Sequence, residues 1–187
     1  MHAPVTPPTL VLIGLRGSGK STIGRIVADA AGLPFADLDD RTPALLDARD
    51  AADAINTHGL RAFRDAEFTA LGSELEPSCS FQRVLALGGG TPTAPGAADL
   101  LMKERDDGRI LIVYLHASPS VLRDRLRGTE TASRPSLTGA DMLDEIETVY
   151  LQRDALYRTL ADHTLEAGEQ DEKRTAQRIL GLMGQRI

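Results

Sequence analysis

Residues 14–22 read GLRGSGKST, and Gly14 to Ser21 fit G-x-x-x-x-G-K-[ST]. Glycines at these positions let backbone N–H groups turn inward around phosphate oxygens. A helix starting directly after them aims its positive end at the same point. Gly17, Ser18, Gly19, Lys20, Ser21 and Thr22 are therefore expected to hold a nucleotide. Lys20 would reach the β- and γ-phosphates, and the Ser21 hydroxyl would bind Mg²⁺. The loop implies ATP-type chemistry without saying what receives the phosphate.

Other residues bear on the acceptor. Asp37 and Asp39 sit two apart at the end of a short apolar run, PFADLD. In a strand both would face one way, with Asp37 near Mg²⁺ and Asp39 orienting or deprotonating an attacking hydroxyl. The alternative is a helix cap, for which Asp39 or Asp40 would serve. A helical pattern over 60–75 puts Leu60, Phe63, Phe68 and Leu71 on one stripe, and Arg64 and Glu67 fall on it. They either pair with each other along the helix, or Arg64 grips a ligand carboxylate while Glu67 holds its fork or a ligand hydroxyl. Arg153 breaks a second apolar stripe made by Ile146, Val149, Tyr150, Tyr157 and Leu160. Gly88, Gly89 and Gly90 follow a strand in LALGGGTP, where a ligand could approach bare N–H groups. That strand ends in Leu87 and Gly88 rather than Asp, so other groups must hold the metal. Arg127 precedes, and Arg134 lies within, the polar stretch GTETASRPSLTGA at 128–140. This stretch is either a solvated loop or a lid that excludes water and carries an arginine to the phosphoryl group.

Alternating elements must position these residues. Strands are expected at 9–14, 34–39, 83–90, 109–116 and 163–167, and helices at 20–31, 43–57, 60–75, 94–108, 119–127, 141–160 and 171–186. On the first helix Ile23, Ile26, Val27 and Ala30 share a face; on the last, Ala176, Ile179, Leu180 and Met183 read as core. Such alternation predicts an α/β fold, a parallel sheet with helices on both faces and ligands at the carboxyl ends of its strands. The chain has 187 residues, 42% hydrophobic and 26% charged, which suits one soluble domain. No run is long and apolar enough for a membrane span, and MHAPVTPP has no secretory pattern. The net charge of -6, with no lysine block, argues against nucleic acid as the main partner. Cys79 is the only cysteine, so no internal disulfide forms, and a cytoplasmic location fits. His58 and His116 read as structural or exposed, and no spacing suggests a zinc site.

The ordered pieces GLRGSGKSTIGR, FADLD, AFRDAE, LALGGG, SRPSL and QRDALY resemble those of shikimate kinases over nearly the whole length. The resemblance implies a three-layer α/β/α fold of the nucleoside-monophosphate-kinase type, with a five-stranded parallel sheet. It implies a single domain over 1–187, a mobile lid at about 128–140 and substrate-binding helices at about 40–75. The implied reaction moves the ATP γ-phosphoryl group to the 3-hydroxyl of shikimate, in aromatic amino-acid synthesis. Ser21 and Asp37 would order Mg²⁺, and Lys20 and Arg134 would act on the phosphates. Arg127 would pack on adenine. Asp39 would meet the attacking hydroxyl, Arg64 and Arg153 the carboxylate, Gly88 to Gly90 would line the substrate, and Glu67 would support Arg64. A soluble monomer is expected. The chain departs from the family in having Thr42-Pro43 where Ile-Glu is common, and Gly59-Leu60 where Gly-Glu is common. Two rival readings are a kinase of the same fold acting on another hydroxy acid such as gluconate, and a non-catalytic ATP-binding module.

Overall fold

A computed structural model describes residues 8–76, 82–127, 142–168 and 171–184. The elements, in chain order, are β1 (Thr9–Ile13), α1 (Lys20–Ala31), β2 (Phe35–Asp37), α2 (Leu38–Ala44), α3 (Ala51–Leu75), β3 (Val84–Ala86), α4 (Ala97–Asp106), β4 (Ile110–His116), α5 (Pro119–Arg127), α6 (Met142–Leu160), β5 (His163–Glu166) and α7 (Glu172–Gly184). A single 3₁₀ turn spans Thr91–Thr93. The strands form one parallel five-stranded sheet in the order β2-β3-β1-β4-β5. The expected α/β architecture is therefore present. The expected lid at 128–140, with Arg134, and Cys79 lie outside the described residues.

Strand residues alternate between two cores, as a pleat requires. Val11, Ile13, Ile112 and Tyr114 face one side, where α3, α4, α5 and α6 pack. Leu10, Leu12, Leu111, Val113 and Leu115 face the other, against α1 and α7. Burial on both faces explains why β1 and β4 read as continuous apolar runs. Ala176 and Ile179 are buried, and Leu180 and Met183 pack beside them, as their spacing predicted.

Five local expectations are corrected. The second strand stops at Asp37, and Asp39 stands on the first turn of α2. Asp37 is itself the cap, accepting the Asp39 N–H at 3.0 Å, so the capping residue is neither Asp39 nor Asp40. The helix expected over 43–57 is two pieces. A new N-cap at Asp50, whose carboxylate accepts the Asp53 N–H at 2.9 Å, starts α3. α3 then runs through a kink at Gly59, whose φ of 84° is left-handed and not helical. Beyond the kink, Phe63 and Leu71 are buried, but Leu60 and Phe68 are exposed at 42% and 38%. Phe68 lies against the Gly96 turn before α4. On α1, Ala30 is exposed while Ile23 and Val27 are buried.

Candidate active site

The carboxyl ends of β1, β2 and β3 converge on the phosphate loop. Gly17 and Gly19 have φ of 81° and 91°, which only glycine adopts cheaply. Gly19 caps α1 without any side-chain hydrogen bond, so the first-turn N–H groups point at the loop's hollow. Lys20 is buried and donates to the carbonyls of Gly14 and Leu15 at 2.9 and 3.2 Å. Burial lowers its pKa, against the raising pull of Asp39 and Asp37. Ser21 Oγ donates to Asp37 Oδ2 at 2.5 Å. The other oxygen of Asp37 holds α2, so one carboxylate both caps a helix and fixes the Ser21 hydroxyl. The chemistry of this set suits phosphates and a Mg²⁺ shared between them, Ser21 and Asp37. Thr22 lines a second cavity beside the loop with Arg16, Gly17, Gly19, Arg125, Leu126 and Glu172.

Beside the loop lies a cavity of about 170 Å³. Asp39 comes to it from α2, Arg64 and Glu67 from α3, Gly89 and Gly90 from the turn after β3, and Arg153 from α6. Arg64 pairs with Glu67 Oε2, and Thr91 Oγ1 donates to Glu67 Oε1 at 2.8 Å. Arg64 and Glu67 pair along the helix, and both line the cavity. Burial holds the Glu67 carboxyl above the usual carboxylate range, against the lowering effect of Arg64 and Thr91. Arg153 and the Tyr157 hydroxyl each donate to the Gly89 carbonyl at 2.6 Å. Together they hold the Gly89 carbonyl of the turn. A Cβ on Gly90 would overlap the Arg64 guanidinium, and one on Gly88 would lie 2.8 Å from Asp39 Oδ1 and from Thr91 Oγ1.

The structure therefore gathers Lys20, Ser21, Asp37, Asp39, Arg64, Glu67, Gly88, Gly89, Gly90 and Arg153 around one end of the sheet. Arg127 is apart: it is exposed, donates to Asp124 at 3.3 Å and lines neither cavity. Arg134 lies outside the described residues. Sequence reasoning missed Arg16, Thr91, Arg125 and Glu145. Arg125 joins the phosphate loop to the chain after β5, donating to Gly17 O at 3.1 Å and Ala167 O at 2.6 Å. Glu145 is buried and lines the acceptor cavity. Its signal was a charge one residue before the Ile146 stripe, too weak to separate from a solvated face. His116 has partners that its sequence neighbours did not suggest. It lies 2.7 Å from Glu166 and 3.0 Å from the Tyr150 hydroxyl.

Comparison with known proteins bears on the family of the chain. The family model for shikimate kinase matches residues 16–183. Shikimate kinase 2 of Yersinia pestis (strain Pestoides F) is 35% identical over 179 residues, covering 94% of this chain and 95% of its own. The solved structure of shikimate kinase from Acinetobacter baumannii in complex with shikimate superposes with a TM-score of 0.83 at 28% identity, over 96% of this chain and 94% of that one. Shikimate kinase from Bacteroides thetaiotaomicron gives a TM-score of 0.78 at 25% identity, over 95% and 98% of the two chains.

Proposed function

This chain belongs to the shikimate kinase family, and from that premise we propose how its residues carry out the reaction. It is an ATP- and Mg²⁺-dependent kinase that phosphorylates the 3-hydroxyl of shikimate, in the synthesis of aromatic amino acids. The observation that carries the acceptor assignment is the meeting of Arg64 and Arg153. They leave different helices to line one cavity whose floor is Gly89 and Gly90. Two guanidinium groups at one end of a small cavity suit a carboxylate, and donors at the other end suit hydroxyls. A non-catalytic ATP module would need no such clamp.

In this reading Arg64 and Arg153 fix the shikimate carboxylate, and Glu67, steadied by Thr91, keeps the Arg64 fork in place. The substrate then presents its 3-hydroxyl to Asp39, which orients it and takes its proton as the oxygen bonds to the γ-phosphorus and the bond from that phosphorus to the bridging oxygen breaks, releasing ADP. Lys20, with Arg134 from the lid, balances charge on the transferring group, and the α1 N-terminus holds the phosphates. Mg²⁺, held by Ser21 and Asp37, supplies further charge neutralisation on the phosphate oxygens when bound. Arg127 is assigned to adenine. We include in the proposal a single domain over 1–187, a lid at about 128–140 and acceptor-binding helices at about 40–75. A cytoplasmic monomer completes it, since one chain supplies every group named and both substrates are soluble. Among the described residues no helix is long and apolar enough to cross a membrane.

The test is coupled ADP release with Mg-ATP against shikimate, gluconate and other hydroxy acids, with the product's phosphate position read by ³¹P NMR. Shikimate-dependent turnover giving the 3-phosphate is expected. Turnover on gluconate with none on shikimate would overturn the assignment.

A further inference from the structure

α6 carries Arg153, whose guanidinium donates to the Gly89 carbonyl. A second anchor lies one helical turn away. His116, the last residue of β4, is 9% exposed. Its Nδ1 lies 2.7 Å from Glu166 Oε2 at the end of β5, and its Nε2 lies 3.0 Å from the Tyr150 hydroxyl on α6. Asp154 Oδ1, also on α6, stands 3.8 Å from Nε2. Asp154 in turn accepts from the Tyr114 hydroxyl at 2.9 Å and from Arg158 Nε at 2.8 Å. These groups, from β4, β5 and α6, are the titratable and charged side chains that face His116.

Tyr150 and Asp154 are four apart, and Arg153 lies between them in sequence. On the helix Tyr150, Arg153, Asp154 and Tyr157 stand on adjacent turns of one face, with Tyr150 and Asp154 bonded to side chains of β4 and with Arg153 and Tyr157 bonded to the glycine turn. The face of α6 that presents Arg153 is thus itself tied to β4, and through His116 to β5. His116 lines neither cavity. We propose that His116 is a positioning residue for the acceptor clamp: by tying the end of β4 to Tyr150 and Glu166, it sets where α6 presents Arg153. The proposal rests on the reading of Arg153 as a carboxylate ligand. Both ring nitrogens are engaged, so removing the ring releases α6 from β4 and β5 together.

The experiment compares the full chain with His116→Leu, His116→Gln and Tyr150→Phe. It measures KM for shikimate and for ATP between pH 5.5 and 8, and amide hydrogen exchange over residues 149–157. Loss of one such bond is expected to raise the shikimate KM about five- to tenfold in His116→Leu, with the ATP KM within about twofold. Tyr150→Phe should show the same split, and His116→Gln, which keeps a donor and an acceptor, should recover most of it. Exchange over 149–157 should quicken about tenfold in His116→Leu, while α1 and α7 stay as in the parent. An unchanged shikimate KM, or an equal rise in both KM values, would overturn the proposal, as would unchanged exchange over 149–157. A parent chain with no turnover on shikimate would instead count against the acceptor assignment, and the exchange data would still decide whether His116 ties α6.

Discussion

Arg64 is held by Glu67, and Glu67 by Thr91, so the proposed acceptor clamp is a relay of three side chains rather than a lone cation. Glu67 sits above its ordinary value of 4.5 because burial disfavours its charge, and Arg64 only partly offsets that. Its folded pKa exceeds its unfolded one, so its contribution to stability is present at acid pH and is lost as pH rises through the folded value. The activity consequence runs the other way. As pH falls through that raised value, the carboxylate becomes neutral and holds Arg64 less well. We expect the acid limb of kcat/KM for shikimate to lie above the ordinary glutamate range and to vanish in Glu67→Gln. That variant should also lose about tenfold in kcat/KM at pH 7. An acid limb unchanged in Glu67→Gln would show that another group sets it. Thr91→Val removes the donor to Glu67 and should raise shikimate KM by about three- to tenfold, read in the same assay with ATP KM as the control. Arg64, Glu67 and Arg153 were legible because each is a charge placed on an apolar period. Thr91 was not: it meets Glu67 across 24 residues of sequence, and no local pattern records that distance.

The glycine turn after β3 is the element on which the site's precision depends. Gly90 lies so close to Arg64 that a Cβ would overlap the guanidinium. Gly90→Ala should displace Arg64 and raise shikimate KM by about ten- to a hundredfold, while ATP affinity measured by calorimetry stays within about twofold. Equal losses for both ligands would mean that the whole sheet end had shifted. The three glycines were legible as a turn after a strand, and Gly89 and Gly90 line the cavity. The element under Asp39 was not legible. PFADLD reads as a strand because apolar residues and aspartates alternate, but the chain leaves the sheet at Asp37, where the carboxylate satisfies the first N–H of α2. Asp39 thus reaches the cavity from a helix turn, and the same-face argument for the two aspartates does not hold. The kink at Gly59 likewise ended a stripe that periodicity had extended to Leu60.

At the scale of the molecule, the parallel sheet places β1 between β3 and β4, so the phosphate loop and the glycine turn leave neighbouring strand ends. Nucleotide and acceptor then meet over one edge, with Arg16 lining both cavities. The alternation of strands and helices made this architecture legible. The pairing of Arg125 with the loop and of His116 with α6 was not, since both join segments whose proximity only the fold creates. The account predicts two separable halves, one for ATP and one for the acid. The most direct measurement is ADP release with Mg-ATP and shikimate for the parent, Asp39→Asn and Arg64→Ala, with ATP binding measured alongside. Shikimate-dependent turnover is predicted in the parent. Asp39→Asn should lower kcat at least about a hundredfold, and Arg64→Ala should raise shikimate KM about ten- to a hundredfold, with ATP bound as in the parent. ATP binding without shikimate-dependent ADP release in the parent would contradict it.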